Sequence, residues 1–148
     1  MYPDTGTYIR SGFRMFFPDY RPIFYGIFIR HVSLYHSLWF VIIFQSWILS
    51  YLIHKALGVF IIKNKMPIWY VVSLGFITIF TSYSFQTGIL IPDVFTAASI
   101  LCLVILLFDT NLMKIERIGI YLLFVFSVLS HFSNVIILMS LIPVIYLI

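Results

Sequence analysis

The chain has 148 residues, of which 62% are hydrophobic, 20% aromatic and only 9% charged. Soluble domains carry about 25% charged residues, so this balance, with a mean hydropathy of +1.08, excludes an ordinary water-soluble globule. The net charge of +4 is scattered among apolar segments, which excludes a nucleic-acid surface, and the single cysteine, Cys102, leaves no disulfide or cysteine metal site to argue from.

The first 21 residues form a polar head. Pro3, Asp4, Thr5, Gly6 and Thr7 make a turn and cap cluster, and Thr5 or Thr7 is expected to start a short helix through Tyr8–Phe17. Within it Ile9, Phe13, Phe16 and Phe17 recur at helical spacing, and Pro18-Asp-Tyr-Arg-Pro22 ends it. Ile23, Phe24, Ile27, Phe28, Leu34 and Tyr35 then face Gly26, Arg30, Ser33 and Ser37 across an amphipathic segment suited to the membrane interface.

Apolar runs follow. Spans are predicted at about 37–53, 67–84 and 94–108, separated by a lysine loop (Lys63, Asn64, Lys65) and a short turn over Gln86–Asp93. After a second charged loop, Asp109–Arg117, the block Ile118–Ile148 would be about 46 Å long as one helix, too long for a hydrocarbon core near 30 Å. His131-Phe-Ser-Asn134 is its polar break, so it reads as two spans. The expected fold is all-α: a polytopic transmembrane helical bundle of about five spans plus an N-terminal interfacial helical region. It forms one domain, with 1–35 as an outer-face loop and 36–148 as spans. The chain stops in an apolar run, so it reads as a fragment of a larger protein.

Charge sets the expected orientation. Lys55, Lys63 and Lys65 lie on the same side as Lys114 and Arg117, because two spans separate the loops. By the positive-inside rule that side is cytoplasmic, which puts 1–35, the 85–93 turn and His131 on the extracytoplasmic face of a plasma membrane, the bacterial inner membrane. The four basic residues of the head are all arginines: Arg10, Arg14, Arg21 and Arg30. Their planar forks suit bidentate binding of a phosphate, and the alternative is snorkelling at lipid headgroups.

Asp4 reads either as a helix N-cap or as a general base for an acceptor hydroxyl or amine. Asp93, behind Pro92, has the same two readings, and His131 is either structural or part of the same site. Their convergence on one membrane face from three separate loops is what raises them together. Asp19 is expected in a turn or paired with Arg21. Gln45, polar within a span, is expected to bond another helix. Asp109 and Glu116 are expected to pair weakly with Lys114 and Arg117. No glycine-rich phosphate loop, zinc ligand set or nucleophile elbow is present.

Asp4-Thr-Gly-Thr-Tyr8, Arg21-Pro-Ile-Phe-Tyr25, Pro92-Asp93 and His131 together resemble the N-terminal part of the GT-C-type glycosyltransferases, multispan enzymes that use polyprenyl-phosphate-linked sugars. The resemblance covers essentially the whole chain. It departs from the family in lacking the span that precedes the first outer loop and the C-terminal half. It implies inverting sugar transfer from a polyprenyl-phosphate donor on the outer face, with Asp4 as base and Asp93 and His131 assisting. The four arginines would hold the donor phosphate, and Tyr8 and Tyr25 would contact substrate. Whether a divalent metal takes part is left open, and the 148 residues are not expected to be active by themselves. The rival reading is a non-catalytic multispan protein, such as a transporter or polysaccharide-export subunit. Against it, the ionisable residues collect at span boundaries and not at mid-membrane.

Overall fold

The computed structural model describes residues 3–17, 19, 21–61, 66–81, 83–131, 134–136 and 139. Among these every regular element is a helix: α1 (Pro3–Arg14), α2 (Phe24–Val32), α3 (Trp39–Phe60), α4 (Met66–Phe80), α5 (Tyr83–Gly88), α6 (Val94–Phe108) and α7 (Lys114–Ser130). The lysine loop expected at 63–65, and nearly all of the span expected after Asn134, lie outside the described residues.

The first helix starts and stops earlier than its apolar spacing suggests. Proline's fixed φ is compatible with a first helical turn, so α1 begins at Pro3 and takes Asp4, Thr5 and Thr7 inside it. It ends because Met15 adopts a left-handed φ of 51°, letting the Phe16 N–H reach back to the Ser11 carbonyl at 3.2 Å. That six-to-one closure is a Schellman ending, with methionine where glycine is usual. Met15→Gly is therefore expected to raise stability by about 1 kcal/mol, read as a higher unfolding midpoint in detergent.

Close backbone contact joins α1 to α2. A Cβ built on Gly12 would lie 2.1 Å from the Gly26 carbonyl oxygen, and one on Gly26 would lie 2.6 Å from Ser11 Oγ. Helix α2 then packs on α3: the Tyr25 hydroxyl bonds Gln45 and the Phe28 ring meets Phe44, the adjacent position. Phe28 also packs on Phe95 and Phe126, so an aromatic cluster joins α2, α3, α6 and α7. Gln45 makes the interhelical bonds expected of it. It accepts from Tyr25 at 3.2 Å, and its Nε2 donates to the carbonyls of Thr87 at 2.6 Å and Ile89 at 3.1 Å.

Helix α3, with 22 residues, is the one described helix long and apolar enough to cross a bilayer. It runs past the predicted end at His54-Lys55 because Lys55 Nζ donates to Glu116 Oε1 at 2.7 Å, so the ammonium does not end the helix. This corrects the expected pairing of Glu116 within its own loop. The Asp109 carboxylate instead accepts the Asn111 N–H at 2.9 Å, closing its own turn. Helices α4 and α6 have 15 residues each and α7 has 17, short of the roughly 20 a perpendicular span needs. The expected second span also breaks near residue 81, and α5 occupies part of what the sequence suggests is a loop. The described residues are thus an all-helical bundle with one membrane-length helix. Large apolar side chains cover its outside, among them Trp39, Ile43 and Trp47 on α3 and Val71, Phe76 and Ile79 on α4. A surface of that kind needs an apolar covering.

Candidate functional site

Four chain segments meet at one end of the bundle. Helix α1 brings Asp4 and Tyr8, the stretch before α2 brings Arg21 and Pro22, the stretch before α6 brings Ile91, Pro92 and Asp93, and the residue after α7 is His131. Together they line a cavity of about 260 Å³. The Lys55–Glu116 pair ties α3 to the opposite end of α7, so the two ion-pair groups mark the bundle's two ends.

The cavity is bounded by fixed pieces. The Thr5 hydroxyl, buried, donates to the Leu90 carbonyl at 3.1 Å and holds α1 against the segment leading to Asp93. Asn134 Nδ2 donates to the Ser127 carbonyl at 2.8 Å, while the Thr96 hydroxyl donates to Asn134 Oδ1 at 2.6 Å. Those two bonds tie the residues after α7 to the first turn of α6, which places His131 beside Asp93.

Inside the cavity the charges are paired. Arg21 Nη2 donates to Asp4 Oδ1 at 2.5 Å, and the guanidinium lies over the Tyr8 ring, 5.3 Å from its centroid. His131 Nε2 lies 3.3 Å from Asp93 Oδ1. Hydrogen bonding to Asp4 raises the Arg21 pKa further, so the guanidinium stays charged. Burial pushes the Tyr8 phenol up from its ordinary value, with Arg21 pulling the other way, so Tyr8 stays protonated near neutral pH. Both carboxylates keep substantial exposure, 55% for Asp4 and 54% for Asp93, and can meet a ligand from the open side.

Neither aspartate works as a cap. Asp4 sits within the first turn of α1, and Asp93 precedes α6 with helical backbone angles and no side-chain bond to the helix start. Arg21 takes Asp4, not the neighbouring Asp19, as its carboxylate.

Asp4, Asp93, His131, Arg21 and Tyr8 are thus brought together, while other residues singled out in the sequence lie elsewhere. Tyr25 has no exposure, and its hydroxyl is spent on Gln45. Arg30 bonds the Tyr35 hydroxyl and stacks on its ring. Arg10 and Arg14 lie on the exposed face of α1, where Arg14 is about 15 Å along the axis from Asp4. Thr5, Thr96 and Asn134 were not evident as site-forming residues from the sequence. Only their positions beside Asp4, Asp93 and His131 hint at that role.

Among the described residues no three His, Cys, Asp or Glu side chains converge as a metal-ligand set. Asp4 faces a guanidinium and Asp93 an imidazole, an arrangement suited to moving protons and holding an anion. No protein-family model, no curated protein and no solved structure matches this chain.

Proposed function

We propose that the chain is part of an integral membrane glycosyltransferase that takes a sugar from a polyprenyl-phosphate donor at the extracytoplasmic surface. What supports this reading is the convergence of Asp4, Arg21, Asp93 and His131 on one cavity at the ends of shorter helices, in a bundle that also holds one membrane-length helix. The pockets of a transport path would sit at mid-membrane, whereas these groups sit at helix ends.

In this reading Asp4 takes the proton of the acceptor hydroxyl as its oxygen attacks the sugar's anomeric carbon. The bond from that carbon to the phosphate oxygen breaks, and the polyprenyl phosphate leaves with the electron pair. Arg21 holds the donor phosphate and keeps that contact as the phosphate departs. The Asp93–His131 pair orients the acceptor and passes the proton on to water. Four or more further spans, including those expected around 67–84, 94–108, 118–130 and 135–148, would complete the polytopic bundle, with shorter helices accommodated by local thinning or by neighbouring helices.

Arg21→Ala tests the phosphate role. It is expected to raise the donor KM about tenfold to a hundredfold, with a smaller change in kcat, because a hydrogen bond to a charged group is lost. An unchanged donor KM would assign Arg21 to holding α1 in place.

A further inference from the structure

The arginines of the head separate into two groups, and the pair that stays outside the cavity has its own use. Arg10 and Arg14 stand one turn apart on the exposed face of α1 and, with Gly6, Ile9 and Phe13, line an open cleft of about 690 Å³. Arg21 is bonded to Asp4 and Arg30 to Tyr35, but among the described residues Arg10 and Arg14 have no hydrogen bond, ion pair or ring partner. Four of the chain's five acidic residues are engaged elsewhere: Asp4 with Arg21, Asp93 with His131, Glu116 with Lys55, and Asp109 with the Asn111 amide. The cleft is therefore a cationic surface that no described side chain pairs with.

Its rim is apolar. Met15, Phe16 and Phe17 follow directly and are half or more exposed, at 50%, 55% and 68%. The edge-to-face contact of Phe13 with Tyr35, 5.2 Å between centroids, brings the turn after α2 to the same corner, where Leu34 is 64% and Tyr35 60% exposed. A soluble phosphate would use the two guanidinium groups and leave that rim in water. A phospholipid uses both: its phosphate takes the arginine forks, and its glycerol and upper acyl carbons cover the aromatic and methionine side chains.

We infer that Arg10 and Arg14 form a binding site for the phosphate of an anionic membrane phospholipid, which holds α1 in the plane of the membrane interface. The inference needs the membrane reading of α3 but not the transferase reading. Native mass spectrometry of the full chain in neutral detergent, titrated with phosphatidylglycerol or phosphatidylcholine, tests it. Wild type is expected to prefer phosphatidylglycerol. The double variant Arg10→Gln with Arg14→Gln, two good helix formers at exposed positions, is expected to lose about thirtyfold of that affinity, since each basic residue near an anionic surface is worth about fivefold. Binding of phosphatidylcholine should not change. Equal binding of the two lipids, an unaffected double variant, or displacement of phosphatidylglycerol by millimolar inorganic phosphate would each overturn the proposal. Alkaline extraction of membranes checks the membrane reading separately, because an integral chain stays in the pellet.

Discussion

On the proposed transferase reading, Asp4→Asn is expected to lower sugar transfer by about a hundredfold to ten-thousandfold, the usual worth of a positioned general base. The substitution keeps the shape and one acceptor oxygen for Arg21, so the neighbouring guanidinium is not left without a partner. The lost ion pair is half exposed on the Asp4 side, and pairs of that kind contribute about 1 kcal/mol or less to stability. Expression, membrane insertion and unfolding midpoint should therefore stay close to wild type while turnover falls. Asp93→Asn supplies the contrast: Asp93 faces an imidazole, so its loss should lower kcat while leaving the Asp4–Arg21 pair in place. Wild-type turnover in the Asp4 variant would remove Asp4 from the role of base whatever the other residues do.

Gly12→Ala is expected to be the most disruptive methyl that could be added at any of the seven glycines. Its new carbon would sit 2.1 Å from a backbone oxygen of α2, which cannot swing aside as a side-chain tip can. Overpacking of this kind costs about 3 kcal/mol, and here the strain is relieved only by pushing α1 away from α2. That motion would pull Asp4 and Tyr8 away from Arg21, so transfer and stability should fall together. Gly75→Ala is the control, since nothing lies within 4 Å of its added carbon. There the substitution should stabilise α4 by about 0.5–1 kcal/mol through helix propensity. A Gly12 variant that behaved like the Gly75 variant would show that α1 and α2 do not touch where their glycines meet.

The helical character of the chain was evident from its apolar runs, and Gln45 was identifiable as an interhelical bond because an amide in an apolar stretch has nowhere else to go. The grouping of Asp4, Asp93 and His131 followed from counting segments between loops. Long-range pairing was harder to see. Gly12 and Gly26 carry no periodic signal, since their use depends on two backbones meeting, which neither glycine's neighbours announce. Lys55 and Glu116 lie 61 residues apart, and Glu116 has Lys114 and Arg117 beside it, so local reasoning paired Glu116 wrongly. The four arginines look alike in sequence, and only the packing of α1 on α2 separates Arg21, facing Asp4, from Arg10 and Arg14 on the outer face. The break near residue 81 was likewise hidden, because Thr81 and its neighbours are apolar or neutral enough to continue a span on composition alone.

The most direct test is compartment-specific labelling of single cysteines in a Cys102→Ser background, one at Asp19 beside the cavity and one at Met113 beside the Lys55–Glu116 end. Both positions are exposed. An impermeant maleimide should label position 19 in intact cells, and position 113 only in inverted vesicles. If both react from the same compartment, the acid–base cavity and the lysine end do not lie on opposite sides of a membrane, and the enzyme reading falls with that.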